Sequence, residues 1–146
     1  MVGGAHRAAH VGEGGRALDV PAHVTDVPDD GWPAAYQAAA DRVLAAWADD
    51  DKLDREHSVP WGTIPGRGVI GGYLQEVLTH GWDLARATGQ PTDDGDPALA
   101  GLAYAVARRY VPAEPRGGHV PFGPAMPAPA DAGPYTRLAA WLGRQP

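Results

Sequence analysis

The chain has 146 residues, 44% of them hydrophobic, which suits one domain with a core of its own and leaves little room for a second. Its formal net charge of −6 argues against binding to a nucleic-acid backbone, which requires clustered Lys and Arg. The absence of Cys excludes disulfides, a thiolate nucleophile and Cys-ligated zinc, so any metal must be held by His, Asp, Glu or water.

The first third of the chain is predicted to contain a helix end, a connection and one full helix. Residues 1–18 are rich in Ala and Gly and are consistent with the last turns of a helix that three glycines bring to an end. A polar connection follows over residues 19–30. Residues 31–48 are predicted to be helical, because Pro33 suits a first-turn position and apolar side chains recur at three- and four-residue steps.

Two elements are predicted in the middle of the chain. Residues 53–66 are expected to be extended, because Pro60 and Pro65 exclude a helix interior, and turns are expected at Trp61-Gly62 and at Pro65-Gly66. Residues 69–88 form the longest predicted helix, since their apolar side chains cover a broad arc: Ile70, Tyr73, Leu74, Val77, Leu78, Trp82 and Leu84.

The C-terminal part is predicted to hold two helices separated by a long loop. Asp96 is a typical N-cap and Pro97 a typical first residue, so a helix is expected over 97–110. Residues 111–133 are rich in Pro and Gly and must be irregular, with enough length to wrap a surface or cover a cleft. A short final helix is predicted over 135–142.

Glu76 and His80 are the main candidates for metal ligands. Four residues apart in a helix, they project from one face, one turn apart, where a carboxylate oxygen and an imidazole nitrogen can bind one divalent cation. Asp83, three residues after His80, is placed to orient its ring. Glu and His at this spacing also occur as chance surface pairs. The apolar residues around them favour the metal interpretation, because a buried Glu and His need a partner.

Residues 76–91, EVLTHGWDLARATGQP, resemble a helix of the mycothiol-dependent maleylpyruvate isomerase N-terminal and DinB-like superfamily, whose members read Glu-x-x-x-His-x-Trp-Asp-Leu-Ala. More narrowly, the chain is similar to an actinobacterial metal-binding subfamily with that domain. Three further stretches carry the resemblance, which covers nearly the whole chain: VPWGTIPG at 59–66, PFGPA at 121–125 and RLAAWLGR at 137–144. The bias toward Ala, Gly, Pro and Arg also fits an actinobacterial, high-GC source.

The resemblance implies an all-α fold, a DinB-like four-helix bundle. Here the bundle would lack its first helix and part of its second, and it would end in the Pro/Gly-rich loop and the short final helix. Residues 1–146 would then form a single metal-binding domain that is incomplete at its N-terminus. In the family a divalent metal, often zinc, is held by a first His and by the Glu-x-x-x-His pair, which maps onto Glu76 and His80. The first His would fall immediately before residue 1.

Other residues are considered as replacements for the missing ligand or as pocket residues. His10 lies near the required helix face but roughly 15 Å further along it, at 1.5 Å per residue, and His6 is off that face. His57 and His119 lie in loops that can reach a cleft. Trp61 is a candidate to line the mouth of the site, with plain packing as the alternative.

Two functions follow from these observations. The resemblance implies a divalent-metal-binding protein with mycothiol as cosubstrate, acting on a small molecule by isomerisation or thiol transfer. The alternative is a non-catalytic, truncated remnant or binding module without an intact metal site. It would dimerise through the face left bare by the missing helices, because a monomer tolerates exposed apolar surface poorly.

The expected partners are a small-molecule substrate or thiol and, in the second case, another copy of the chain. No membrane partner is expected, because no run approaches about 18 consecutive apolar residues. The N-terminus lacks the pattern of a secretory signal, so the expected location is the cytoplasm.

Overall fold

The computed structural model describes residues 1–118 and 120–146. The chain divides into two compact units, residues 1–73 and residues 74–146. In chain order, the elements in the described residues are α1 (Val2–Gly12), a 3₁₀ turn (Ala17–Asp19), α2 (Trp32–Ala46), α3 (Asp51–Asp54), β1 (Glu56–Val59), β2 (Gly62–Pro65), α4 (Gly66–Thr88), α5 (Pro97–Tyr110) and α6 (Pro134–Trp141).

The first unit is built on the packing of α1 against α2. Its core contains small residues of α1 together with Trp47 and Val69, and the Trp47 indole Nε1 donates a 2.9 Å hydrogen bond to the Ala8 carbonyl. Gly12 makes this approach possible, because a Cβ at that position would lie 2.6 Å from Trp47 Nε1. The Ala- and Gly-rich composition of α1 therefore has a packing reason, which is to admit a large aromatic side chain from the end of α2.

A two-stranded antiparallel sheet shows that the predicted all-α four-helix bundle is wrong. β1 and β2 pair with Glu56 opposite Pro65 and Val59 opposite Gly62, so the fold is mixed. The expected extended conformation is confirmed for residues 56–65 apart from their turn, whereas residues 53 and 54 end α3 and residue 66 begins α4. The first turn lies at Pro60-Trp61, one residue before the predicted position, and the turn predicted at Pro65-Gly66 is wrong, because α4 starts there directly. The two prolines that exclude a helix here leave the segment extended, and the two short extended runs then satisfy each other's backbone groups.

Most predicted helices are present with shifted ends. α5 occupies the predicted residues 97–110, and its Asp96 cap accepts a 2.8 Å hydrogen bond from the Ala98 backbone N. α4 begins at residue 66 rather than 69, directly after the strand that ends at Pro65. The prediction placed the α2 helix over 31–48 and the last helix over 135–142, and each is within two residues of that at either end.

The second unit is built on the packing of α5 against α6. Ala103 and Ala107 of α5 and Leu138 of α6 are completely buried. Leu74 and Leu78 of α4 pack against the same core. Arg116 fixes the irregular segment after α5, since its guanidinium donates to the carbonyl oxygens of three residues: Pro112, Gly123 and Trp141.

Candidate functional site

Three candidate site residues lie in the part of α4 that belongs to the second unit. Glu76, His80 and Asp83 follow one another at steps of four and three residues in an unbroken helix, so their side chains share one face. Glu76 is half-buried, while 41% of the His80 side chain and 36% of the Asp83 side chain are exposed. The group therefore lies at the surface of α4, where a small ligand has access.

Asp83 links two residues that are far apart in the sequence. Its Oδ2 lies 3.2 Å from Nδ1 of His80. Arg144, two residues after α6 and its C-cap, contacts the same carboxylate with Nε at 3.2 Å from Oδ1 and Nη2 at 3.0 Å from Oδ2. The result is a continuous hydrogen-bonded chain from Arg144 through Asp83 to His80.

The charge state of Asp83 determines how His80 is oriented. Burial by itself would raise the pKa of the Asp83 carboxyl, but the hydrogen bonds and charges of Arg144 and His80 outweigh it and hold that pKa below its usual value of 3.8. Asp83 is therefore ionised at neutral pH and can only accept hydrogen bonds. Nδ1 of His80 must carry the hydrogen, which leaves the lone pair of the neutral ring on Nε2.

Two other polar side chains of this stretch of α4 each have a buried oxygen atom without a hydrogen-bond partner among the described residues. They are Thr79, which is 2% exposed, at its Oγ1, and Gln75 at its Oε1. Thr79 directly precedes His80 in the sequence. Sequence reasoning did not single out either residue, and the available signal was that Gln75 directly precedes Glu76 and Thr79 directly precedes His80. Buried oxygens of this kind are normally satisfied, so each can accept a water or a ligand.

Two other histidines that the sequence offered as ligands have contacts within the first unit. His10 lies with Nδ1 4.0 Å from Glu13 and Nε2 3.9 Å from Asp19, both within the first unit. Nε2 of His57 is 2.9 Å from the Lys52 carbonyl oxygen, and its ring centroid is 4.9 Å from that of Trp47. His57 therefore has a packing role, and His10 is close to two carboxylates of its own unit.

Trp61 lies at the turn between β1 and β2 and is 54% exposed. Its ring meets that of Tyr73 edge-on at a centroid distance of 6.0 Å, within the first unit. Trp61 is therefore a surface aromatic residue whose ring packs against Tyr73 on its inner side. His119, which sequence reasoning also considered as a ligand, lies outside the described residues.

Within residues 1–118 and 120–146, no cluster of three or more His, Cys, Asp or Glu side chains has the arrangement needed to hold a metal ion. Glu76 and His80 are thus a pair of candidate ligands rather than a complete set. In the same residues, no helix combines the length and the apolar character required to cross a membrane.

Two proteins of Mycobacterium tuberculosis are similar to this chain. They are Uncharacterized protein MT0763 and Uncharacterized protein Rv0738, and each is 44% identical to it over 115 residues. The match covers 79% of this chain and 63% of each relative, so the chain spans less than two-thirds of the length of the curated relatives it matches. No family model matches the chain. No solved structure matches it either.

Proposed function

We propose that the chain binds a divalent cation, with zinc as the first choice, through Glu76 and His80. The single observation that supports this most is the hydrogen-bonded chain from Arg144 through Asp83 to His80. Metal-ligating histidines almost always donate their second ring N–H to a carboxylate or carbonyl, which fixes the tautomer and the ring orientation. His80 has this arrangement, with Nε2 left as the ligating atom.

The donor chemistry of the pair suits such a cation. A carboxylate and a neutral imidazole are both common zinc ligands, and they lie one helical turn apart on one face of α4. Catalytic zinc sites use three protein ligands and keep one position open, so the proposal requires a third donor besides Glu76 and His80. The open position would take a water, a thiol or the substrate.

The proposed activity follows from the resemblance to the mycothiol-dependent maleylpyruvate isomerase and DinB-like family. A cation held by Glu76 and His80 would lower the pKa of a coordinated thiol or water, and it would polarise the carbonyl oxygen of a substrate. In that setting, isomerisation of a small molecule or transfer of a low-molecular-weight thiol such as mycothiol is the proposed reaction class. Asp83 and Arg144 act through His80 and are positioning residues.

The second candidate function is a non-catalytic binding module. The finding that favours it is the lack of a three-ligand cluster in the described residues. Such a module needs no complete metal site, and its role would rest on a surface that contacts another protein chain.

Cobalt titration of the purified, chelator-treated full chain separates the two candidates. Co²⁺ is a spectroscopic substitute for zinc, and its visible absorption intensifies when a protein site of low coordination number binds it. Glu76→Ala and His80→Ala are expected to abolish binding, and Asp83→Asn to weaken it by about 10- to 100-fold. Glu56→Ala and His23→Ala remove exposed side chains of the same types and are the matched controls.

Equal cobalt occupancy in the wild type, Glu76→Ala and His80→Ala would refute the metal assignment. A wild type that binds no Co²⁺ or Zn²⁺ favours the non-catalytic module. If binding is found, the zinc-loaded chain should then be assayed with a panel of thiols and small electrophilic substrates, using His80→Ala as the inactive reference.

A further inference from the structure

Four side chains of the second unit meet around the indole of Trp141, the last residue of α6. The Cζ atoms of Arg108 and Arg116 lie 5.2 and 5.1 Å from the Trp141 ring centroid. The Tyr104 ring meets the indole edge-on at a centroid distance of 6.5 Å, and Cζ of Arg108 is 5.8 Å from the Tyr104 centroid. These four residues, the Trp141 cluster, therefore bring two guanidinium groups against one pair of aromatic rings.

Two nitrogen atoms of the Trp141 cluster are buried donors without an acceptor among the described residues. They are Nη2 of Arg116 and Nε1 of Trp141. The other nitrogens of Arg116 have partners, since Nε donates to the Pro112 carbonyl oxygen and Nη1 to those of Gly123 and Trp141. Buried N–H groups normally have an acceptor, and these two belong to side chains in contact with each other. They therefore indicate one acceptor that both share.

The charge of the cluster decides which kind of acceptor fits. Neither Arg108 nor Arg116 forms an ion pair with a carboxylate of the described residues. Burial lowers the pKa of the Arg116 guanidinium, so its surroundings disfavour its positive charge. A water molecule can accept the two hydrogen bonds, but it leaves that charge uncompensated, whereas an oxyanion accepts the hydrogen bonds and compensates the charge.

The surroundings of the cluster favour a carboxylate over a phosphate. A guanidinium matches the planar carboxylate group, and the two carboxylate oxygens can accept separately from Nη2 of Arg116 and Nε1 of Trp141. The half-buried side chains of Val120 and Phe122 pack against the same core as Trp141, so the neighbours of these donors are largely apolar. A phosphate would leave most of its oxygens without a donor there. An acid with a small apolar group has an apolar side for these neighbours.

We propose that the Trp141 cluster binds a small organic acid, whose carboxylate accepts from Arg116 and Trp141 and whose apolar part packs against the aromatic rings. Arg108 is exposed and makes ring contacts, but no hydrogen bond, with the described residues. Its side chain can therefore turn outward to admit the acid and return as a second cation beside the carboxylate. Glu76 and His80 take no part, so this inference does not depend on metal binding.

Proton–nitrogen NMR spectra of the ¹⁵N-labelled full chain test the inference, with benzoate as the probe. Trp141→Phe removes one of five indole N–H signals and so assigns that of Trp141. At constant ionic strength, benzoate is expected to shift this signal downfield with a dissociation constant of roughly 1 mM, as suits so small a ligand. Benzamide has a similar shape without the charge and is expected to bind at least about tenfold more weakly.

Three variants separate the Trp141 cluster from other sites. Arg108→Ala removes the exposed cation and is expected to raise the dissociation constant of benzoate by about tenfold. Arg109→Ala is the matched control, because this exposed neighbour lies 5.6 Å from the Tyr110 ring centroid, and it should bind benzoate like the wild type. His80→Ala should also bind like the wild type. Arg116→Ala is unsuitable, because its guanidinium also holds three carbonyl oxygens.

Four results would overturn the inference. A Trp141 signal that does not move up to about 20 mM benzoate would leave the two donors to water. Equal affinity for benzoate and benzamide would remove the role of the charge. Equal effects of Arg108→Ala and Arg109→Ala, or loss of binding in His80→Ala, would place benzoate elsewhere. Inorganic phosphate that shifts the Trp141 signal with a lower dissociation constant than benzoate would assign the cluster to phosphate.

Discussion

Arg144 holds Asp83 through two nitrogen–oxygen contacts of 3.2 and 3.0 Å, across 61 residues of sequence. These hydrogen bonds connect the segment after α6 to the face of α4 that carries Glu76 and His80. Because Asp83 also accepts from His80, the end of the chain takes part in setting the orientation of that imidazole. The candidate site thus depends on a residue far from the Glu-x-x-x-His motif.

Asp83→Asn is expected to lower the free energy of unfolding at neutral pH. The free energy of unfolding of this variant should also fall less than that of the wild type as the pH becomes acidic. The pKa of Asp83 is lower in the folded chain than its usual value of 3.8, so the folded state is favoured by ionisation. That stabilisation is fully present above about pH 5 and disappears as the pH falls through the lowered folded value. Since the side chain is about a third exposed, we expect an effect of roughly 1 kcal/mol at pH 7.

Urea unfolding at several values between pH 7 and pH 2 measures this effect. The wild type and Asp83→Asn should differ at pH 7 and converge as the solution becomes more acidic. Asp131→Asn changes an exposed loop carboxylate and should stay within about 0.5 kcal/mol of the wild type. Parallel curves for the wild type and Asp83→Asn over the whole range would contradict the role assigned to the carboxylate.

The sequence predicted helices well wherever the signals were local. The Asp96-Pro97 start of α5 is a cap signal within two residues, and the structure places the helix at the predicted positions. The β1–β2 hairpin was missed because each strand has only four residues, and the pairing depends on a register that no single segment encodes. The resemblance to a helical bundle reinforced that error.

The long-range contacts at the candidate site could not be predicted from the sequence either, because no single segment encodes which distant residue its side chains contact. The spacing of Glu76, His80 and Asp83 could be read from one helix. Arg144 is one of eleven arginines, and nothing in its neighbourhood indicates that its partner is Asp83. The burial of Thr79 likewise depends on tertiary packing, which periodicity does not specify.

Asp93→Ala is expected to destabilise the second unit. Helix α6 begins after Gly133, which has no side chain to cap it. Asp93 replaces that cap, because its Oδ1 accepts from the backbone N of Tyr135 at 2.8 Å and of Thr136 at 3.1 Å. Loss of an N-cap typically costs about 1 to 2 kcal/mol.

Chemical denaturation measures this loss. Asp94→Ala removes the neighbouring exposed carboxylate and should leave the unfolding free energy within about 0.5 kcal/mol of the wild type. Equal stabilities for Asp93→Ala and Asp94→Ala would show that Asp93 does not act as the cap of α6.

The same substitution, Gly to Ala, is expected to have opposite effects at two helical positions. At Gly12 the new Cβ would lie 2.6 Å from Trp47 Nε1, and the indole is held in place by its burial and its bond to the Ala8 carbonyl. We expect Gly12→Ala to lower the free energy of unfolding by about 1 to 3 kcal/mol through overpacking.

Gly81 lies in α4 with open space beside it. Apart from the nearby backbone of its own helix, no atom of the described residues would lie within 4 Å of a Cβ at Gly81. Denaturant unfolding should show Gly81→Ala to be more stable than the wild type by about 0.5 to 1 kcal/mol, because Ala loses less backbone entropy than Gly in a helix. A destabilised Gly81→Ala together with an unaffected Gly12→Ala would contradict the close packing of α1 on Trp47.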